Sequence, residues 1–336
     1  MKRTMLLGAA AALLSLCVNP LAAQRRTEPP KLQNLHFETW QLRTEHAADG
    51  EAAFSIYLPK GYDYEANKEK SYPWILWLPG FGGPDDFQTR GGAQVLDQLR
   101  GDGAIPELAL VVFRAPGRRG RTTYMDGEAI GDIETLLVED LVAHVEKKFR
   151  LGGARERRAI MGVSAGGFGA LKIAMRHPDT FGSVAVHSAA ILPADPAELA
   201  GMTESMVARY VRGGIAEQLG TPIEKAKWQQ HMPMGLAAIR KPAELKGLQI
   251  YFDAGTDDHY GFFEPNAAFD AELTKHGHRH VWRAVEEGGH AWGSFKMQDN
   301  LKQSLRFVGL ALSGKDAVKA MTKPAEKAEQ AQGDGR

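Results

Sequence analysis

The sequence contains almost no cysteine, since Cys17 is the single thiol among 336 residues. A disulfide framework is therefore excluded, and the hydrophobic core must supply the stability of the fold. Net charge is absent as well, because 41 lysines and arginines balance 41 aspartates and glutamates. A neutral chain has no long-range attraction to nucleic acid or to an anionic membrane, so neither is expected as a partner.

The chain also lacks an apolar run long enough for a comfortable membrane span, and no stable membrane insertion is expected. The run from Met5 to Val18 follows the basic Met1-Lys2-Arg3 and precedes Leu21-Ala22-Ala23. This pattern predicts a secretory signal peptide over residues 1–23 and a secreted or periplasmic protein. A lipid anchor on Cys17 is the alternative, disfavoured because Leu16 stands where lipoprotein signals have a small residue. Residues 24–34 form a polar lead-in.

With 43% hydrophobic and 24% charged residues, the chain is long enough for one large α/β domain, predicted over residues 35–313. Two alternating segments predict an antiparallel opening hairpin, and buried apolar runs separated by helical stretches predict a mostly parallel sheet. The predicted strands are Leu35–Leu42, Ala52–Leu58, Trp74–Leu78, Leu108–Phe113, Arg158–Val163, Ser183–Val186, Leu248–Phe252 and Val281–Val285.

Two segments depart from this alternation. Residues 194–246 contain scattered methionines, Trp228 and four prolines, and predict a helical insertion that forms part of a cap or pocket wall. Packing of the insertion onto the domain explains each of these apolar residues equally well. From about residue 314 to 336 apolar residues are rare, which predicts a disordered tail.

A strand, a glycine-rich turn and a helix surround Ser164 in the run Gly162-Val163-Ser164-Ala165-Gly166. Gly-x-Ser-x-Gly between a strand and a helix is typical of a nucleophile elbow, which lifts the serine hydroxyl above the sheet edge. The alternative is a glycine-rich turn with an incidental serine. The N-terminus of the following helix would favour negative charge in front of Ser164.

A serine nucleophile needs a base, and the base needs an acid that orients it. In folds with this elbow both come after the serine, acid first, on loops that follow strands. His290 follows a predicted strand through Gly288-Gly289, and Asp253, Asp257 and Asp258 follow the preceding one. Gly255 is expected to break that strand, so that Asp258 is the first carboxylate able to fold back over the sheet edge. Asp257 is the main rival, and Asp253 is expected only to turn the chain.

An oxyanion requires two backbone donors. The N–H of Ala165, directly after the serine, is one candidate. The loop Pro79-Gly80-Phe81-Gly82-Gly83 follows a strand and offers the other, with Phe81 favoured over Gly82.

Taken together, these motifs resemble the esterase D-like branch of the α/β-hydrolases, which includes S-formylglutathione hydrolases, feruloyl and acetyl xylan esterases, and mycolyltransferase antigens. The resemblance runs from about Phe54 to Phe307. It implies serine ester hydrolysis or acyl transfer with no metal or organic cofactor. It also points to Asp258, because the acid of this branch usually stands three positions after the glycine equivalent to Gly255.

The motifs that carry the resemblance are Tyr57-Leu58-Pro59-Lys60-Gly61-Tyr62, Leu78-Pro79-Gly80-Phe81-Gly82-Gly83, Gly162-Val163-Ser164-Ala165-Gly166-Gly167, His177-Pro178-Asp179 with Phe181-Gly182, Gly255-Thr256-Asp257-Asp258, and Gly289-His290-Ala291-Trp292.

S-formylglutathione is a cytosolic metabolite, so the predicted export argues against it as the substrate. Export favours acyl or feruloyl esters of extracellular polysaccharide, or related small esters. Two departures from the branch leave the substrate open: Pro79 stands where members often have histidine, and residues 114–121 are rich in arginine. These arginines would suit an anionic substrate or a solvated loop. An acyltransferase to a sugar or lipid hydroxyl and a non-catalytic carbohydrate-binding protein are the alternative functions.

His276, His278 and His280 alternate along the chain, as metal ligands on one side of a strand can, but they are interpreted as polar residues that precede a strand.

Overall fold

The computed structural model describes residues 31–116, 122–128, 130–201, 215–293 and 298–322. The predicted signal peptide, most of the lead-in, the arginines at 118, 119 and 121, Met202, Met206 and residues 323–336 lie outside these ranges. Within them, no helix has both the length and the apolar character needed to cross a membrane.

A single sheet of eight strands organises the described chain, in the order β1-β2-β4-β3-β5-β6-β7-β8. The first three strands in this order pair antiparallel, and every later pair is parallel. The predicted antiparallel opening and parallel body are therefore confirmed. The strands are β1 Leu35–Arg43, β2 Glu51–Pro59, β3 Trp74–Leu78, β4 Ala109–Arg114, β5 Arg158–Val163, β6 Ser183–His187, β7 Gln249–Gly255 and β8 His280–Val285.

Helices cover both faces of the sheet, because the central parallel strands are apolar on both sides. All five side chains of β3 are buried. The α-helices are α1 Asp86–Thr89, α2 Gly92–Gly101, α3 Ile133–Thr135, α4 Val142–Lys148, α5 Ala165–Arg176, α6 Ala216–Leu219, α7 Lys225–Gln229, α8 Pro233–Ile239, α9 Phe263–Lys275, α10 Gln298–Leu312 and α11 Ala317–Thr322. Helices α2 and α10 pack on one face, and α4, α5 and α9 pack on the other.

In the sequence, Leu137, Leu141, Val145 and Phe149 are spaced four apart, which predicts an amphipathic helix, and in the structure this helix has an irregular centre. Residues Leu136–Leu141 form π-helical turns between α3 and α4. Leu137, Leu141 and Val145 are buried as the spacing predicts. Phe149, the fourth member of the series, follows the end of the helix in an extended conformation.

Strand β7 ends at Gly255, as predicted, and Thr256 and Asp257 form the turn that follows. Two other details of the sequence interpretation are wrong. Asp253 does not turn the chain, because it lies buried inside β7 and accepts hydrogen bonds from His187 and the Tyr251 hydroxyl. The tail is ordered as far as Thr322: α11 packs through Ala317 and Val318, two apolar residues that the composition of the whole tail conceals.

Candidate active site

Ser164 lies at the carboxyl end of the sheet, between β5 and α5, in a strained backbone conformation. Its φ of 56° and ψ of −119° are rare for a residue with a side chain and typically cost about 1–3 kcal/mol. Neighbouring backbone holds it there. The Ser164 N–H donates to the His187 carbonyl at 3.0 Å, and the Ser164 carbonyl accepts from Phe168 and Ala190, also at 3.0 Å.

The two glycines of the elbow are required by close backbone approach. A Cβ on Gly162 would lie 2.3 Å from the Gly166 carbonyl oxygen, and one on Gly166 would lie 1.9 Å from that of Leu78. Neither position therefore accepts a side chain. The first turn of α5 begins at Ala165, so its N–H belongs to the donors that have no partner within the helix.

The structure brings His290 and Asp258 together from the loops after β8 and β7. Asp258 Oδ2 lies 2.8 Å from His290 Nδ1, and its side chain is fully buried. Asp257 is exposed: its N–H donates to Gly288, and its carboxylate lies 3.4 Å from the Thr256 hydroxyl. Gly255 permits this approach of the two loops, because a Cβ there would lie 2.0 Å from the Gly288 carbonyl oxygen.

Several donors keep Asp258 ionised despite its burial. Burial alone would raise the pKa of this carboxyl, but the hydrogen bond and charge of His290, the Tyr260 N–H and the Ser188 hydroxyl together lower it. The Tyr260 N–H donates to Asp258 Oδ1 at 2.9 Å. Asp258 therefore remains a negatively charged acceptor for His290.

Ser188, which the sequence interpretation missed, connects the two loops. It follows β6, is fully buried and has a φ of 43°. Its Oγ accepts the Ala291 N–H at 3.1 Å, and its hydroxyl donates to Asp258. A polar residue directly after a parallel strand was the available signal, since such residues meet at one edge of the sheet.

Aromatic side chains from the Asp258 loop surround the His290 ring. The ring centroids of Tyr260, Phe262 and His259 lie 4.6, 5.5 and 5.9 Å from that of His290. Phe262 is buried, whereas His259 and Tyr260 are exposed. One side of the imidazole thus faces the protein interior and another faces an exposed aromatic pair.

The loop after β3 lies directly against the serine. A Cβ on Gly80 would lie 3.2 Å from Ser164 Cβ, so the loop approaches only because this residue is glycine. Phe81 is half-buried against apolar residues beside Ala165, and Gly82 is exposed. The Tyr124 hydroxyl donates to the Pro79 carbonyl at 2.5 Å and fixes the peptide that enters this loop.

A buried cluster of charged side chains contacts the backbone of Tyr124. Lys172 of α5 has no exposed surface, donates to the Tyr124 carbonyl and lies 2.6 Å from Glu134 Oε2. Arg176 and His177 both lie 2.7 Å from Glu134 Oε1. Burial would raise the pKa of Glu134, but Lys172, His177 and Arg176 together hold it far below its usual value. A lysine inside the apolar run of α5 was the signal for such a buried pair.

A second carboxylate, Asp86, lies beside the glycine loop. The Asp86 carboxylate lies directly against Gly82, and a Cβ on that glycine would be 1.9 Å from Asp86 Oδ2. Burial raises the pKa of Asp86 and neighbouring Asp85 adds to this, while Arg90 and His290 oppose it. The Asp86 carboxyl is therefore close enough to influence His290 electrostatically.

The insertion forms an apolar wall next to α5. Trp228 and Met232 are fully buried in a cluster with Ala165, Phe168 and Phe262. The indole N–H of Trp228 donates to the Pro193 carbonyl at 2.8 Å. Trp228 and Met232 have no exposed surface, so they pack the insertion against α5.

The remaining candidate residues lie apart from Ser164. His276 contacts Glu272, His278 contacts the Ala237 carbonyl, and His280 contacts Asp270. In the described part of the chain, no three histidine, cysteine, aspartate or glutamate side chains are grouped as metal ligands. Arg114 forms an ion pair with Asp85 at 2.7 Å, while the other arginines of that segment fall outside the described ranges.

The chain is similar to proteins of one known family. Residues 46–306 match the family model described as "Putative esterase". The chain is 28% identical over 152 residues to Esterase Rv1288 of Mycobacterium tuberculosis, which covers 44% of this chain and 32% of that protein. The chain thus spans about a third of the length of this curated relative.

Solved structures share the fold over most of the chain. A ferulic acid esterase superposes with a TM-score of 0.66 and 26% identity, over 84% of this chain and all of that one. An S-formylglutathione hydrolase from Agrobacterium tumefaciens superposes with a TM-score of 0.65 and 16% identity, over 84% and 98%. The predicted α/β-hydrolase fold and branch are confirmed, and the chain belongs to the esterase family whose model it matches.

Proposed function

We propose that this esterase is a serine hydrolase in which Ser164 is the nucleophile, His290 the base and Asp258 the residue that orients the base. The observation that carries the proposal is the 2.8 Å contact between buried Asp258 and His290 Nδ1, at the sheet edge that also carries strained Ser164. An ionised carboxylate on Nδ1 keeps the proton there and leaves Nε2 free to accept one.

The reaction proceeds in two halves. His290 Nε2 takes the Ser164 proton as Oγ bonds to the ester carbonyl carbon, whose π electrons move to the oxygen. The Ala165 N–H and a loop donor, Phe81 or Gly82, stabilise this oxyanion. Collapse breaks the bond to the alcohol oxygen, which leaves with the proton from His290. Water then attacks the acyl-enzyme by the same steps, releasing the carboxylic acid and restoring Ser164.

Covalent labelling tests the nucleophile. A fluorophosphonate probe should label the native protein, and peptide mass spectrometry should place the adduct on Ser164. A heat-denatured sample is the control, because unfolding removes the base from the serine. Equal labelling of native and denatured protein, or an adduct elsewhere, would reject the assignment and favour a non-catalytic binding protein.

The substrates that we propose are feruloyl or other acyl esters of extracellular polysaccharide, hydrolysed after export. The ferulic acid esterase of similar structure and the signal-peptide pattern of residues 1–23 support this choice. A panel of acetyl, long-chain acyl and hydroxycinnamoyl esters tests it, and a preference for long lipid chains would overturn it. Partition of the acyl group between water and added sugar measures transfer. A mature N-terminus at Gln24 would support export.

Ser188 is a positioning residue for both partners of the proposed acid and base pair. Ser188→Ala should lower kcat about tenfold with KM nearly unchanged, because a hydrogen bond to a charged group contributes about 1.5–3 kcal/mol. Steady-state kinetics on one small ester measures the split. Ser183→Ala is the matched control, since within the described chain that buried hydroxyl of β6 has no hydrogen-bond partner. An equal loss in both variants would exclude a specific role for Ser188.

Tyr124 should position the loop that carries Phe81 and Gly82. Tyr124→Phe leaves the Pro79 carbonyl buried without its donor, which costs about 1–3 kcal/mol, and should lower kcat at least tenfold with little change in KM. Tyr62→Phe is the control: the Tyr62 hydroxyl accepts the Arg150 N–H at 2.8 Å, away from Ser164. Stability should fall in both variants and kcat only in Tyr124→Phe, so an unchanged kcat there would contradict the role.

A further inference from the structure

We propose that Tyr260, with His259 beside it, forms the subsite for the alcohol half of the substrate and packs against the ring of a sugar. This inference rests on the proposed function, because it takes His290 as the group that protonates the leaving alcohol. It names the half of the ester that neither the family nor the apolar wall beside Ala165 identifies.

The position of Tyr260 follows from the chemistry of His290. A general acid must lie within hydrogen-bond reach of the leaving oxygen, so side chains packed on the exposed side of that imidazole border the alcohol. The Tyr260 ring centroid lies 4.6 Å from that of His290, with the rings at 74°. The Tyr260 N–H is bonded to Asp258, which fixes the backbone of this residue relative to the acid and base pair.

The exposure of Tyr260 indicates a surface that is free to bind. Its side chain is 44% exposed, and in the described chain only Tyr64 and Ile239 are other large hydrophobic residues of this kind. The His259 ring lies 4.1 Å away, and buried Phe262 stacks behind Tyr260 at 5.8 Å. A rigid aromatic face with a polar hydroxyl at its edge suits a partner that is apolar on one face and polar around its rim.

A pyranose or furanose ring has this character, since its faces carry C–H groups and its rim carries hydroxyls. An acyl chain has no such rim, and a ferulate ring carries its polar groups only at the end away from the ester, whereas hydroxyls surround a sugar ring. The buried cluster of Trp228 and Met232 contains Ala165, next to Ser164, and it reaches the back of Tyr260 through Phe262. The exposed face of Tyr260 is therefore the side that we assign to the sugar.

The test compares two substrates that share an acyl group and differ only in the alcohol: methyl ferulate and a feruloylated arabinose oligosaccharide. Tyr260→Ala should lower kcat/KM for the sugar ester about tenfold more than for methyl ferulate, mainly through KM, while any loss of kcat from the packing on His290 should be the same for both esters. Tyr260→Trp should retain the sugar preference, because it keeps the flat ring. Tyr64→Ala, which removes an exposed tyrosine elsewhere in the described chain, should leave hydrolysis of both substrates unaffected.

Each other outcome has a definite meaning. An equal loss of kcat/KM on both esters would show that Tyr260 only packs against His290, and would overturn the subsite. A wild-type enzyme that hydrolyses methyl ferulate without preferring the sugar ester would overturn it as well. Absence of hydrolysis and of fluorophosphonate labelling in the wild type would instead reject the proposed function itself.

Discussion

Replacing Asp258 with asparagine is expected to lower kcat about 10⁴-fold while folding stays nearly unchanged. The carboxylate accepts the Nδ1–H of His290 at 2.8 Å. This hydrogen bond keeps the ring proton on Nδ1, so Nε2 has a free lone pair that can accept the Ser164 proton. An asparagine amide that donates to Nδ1 moves the ring proton to Nε2, where it blocks proton transfer from Ser164. Loss of the correct tautomer has an effect of this size in other triads. Steady-state kinetics and thermal unfolding measure the two expectations.

Asp257→Asn is the matched control, because it makes the same substitution one residue earlier in the same loop. Asp257 is exposed, and its N–H bond to the Gly288 carbonyl survives the substitution. We expect less than a threefold change in kcat. A large loss in Asp257→Asn with little loss in Asp258→Asn would show that the loop rearranges when substrate binds, and that the acid is assigned wrongly.

The position of Ser164 could be predicted because local sequence determines it. At Gly162 and Gly166 the strand, the turn and the helix pass so close to one another that a side chain would clash with backbone atoms. Continuous apolar runs likewise predicted the buried strands, and all five side chains of β3 are buried. Although Gly166 meets the backbone of Leu78 on another strand, the Gly-x-Ser-x-Gly spacing and the apolar runs are themselves patterns of neighbouring residues, so they can be read from the chain.

The contacts that surround the proposed site could not be predicted in the same way. Ser188 meets Ala291 across 103 positions, and Tyr124 meets Pro79 across 45. Such pairs depend on strand order and register, which apolar runs do not specify. The choice between Asp257 and Asp258 was open for a related reason. It depends on where β7 ends, and pairing with Val285 extends that strand through Gly255.

The helix that follows the nucleophile has a charged anchor within its apolar face. Lys172 is completely buried, and its ammonium group contacts Glu134 and the Tyr124 carbonyl. Glu134 in turn accepts from Arg176 and His177 through its other oxygen. The Glu134 carboxylate therefore links α5 to its own segment, while Lys172 links α5 to Tyr124. Loss of the Glu134 charge should lower the stability of the fold.

Replacing Glu134 with glutamine should reduce the free energy of unfolding by about 3–5 kcal/mol at pH 7, the range seen when one partner of a buried ion pair is removed. The amide has nearly the same shape, but its NH₂ group must face either Lys172 or the Arg176 and His177 pair, and all of these are donors. Urea unfolding measures the loss. Glu65→Gln, which breaks the exposed pair with Lys68, is the matched control and should change stability by less than about 1 kcal/mol.

The pH dependence of this difference identifies its source. The pKa of Glu134 is far below its usual 4.5 in the folded protein, so the unfolded chain binds more protons as the pH falls below that value. The stabilisation is thus complete above about pH 4.5 and is lost in more acidic solution, and the gap between wild type and Glu134→Gln should narrow between pH 5 and pH 3. Adding Lys172→Met to Glu134→Gln should recover part of the loss, because it removes the unpaired ammonium group. A gap that stays constant with pH, and that Lys172→Met does not reduce, would mean that the shape of Glu134 rather than its charge stabilises α5.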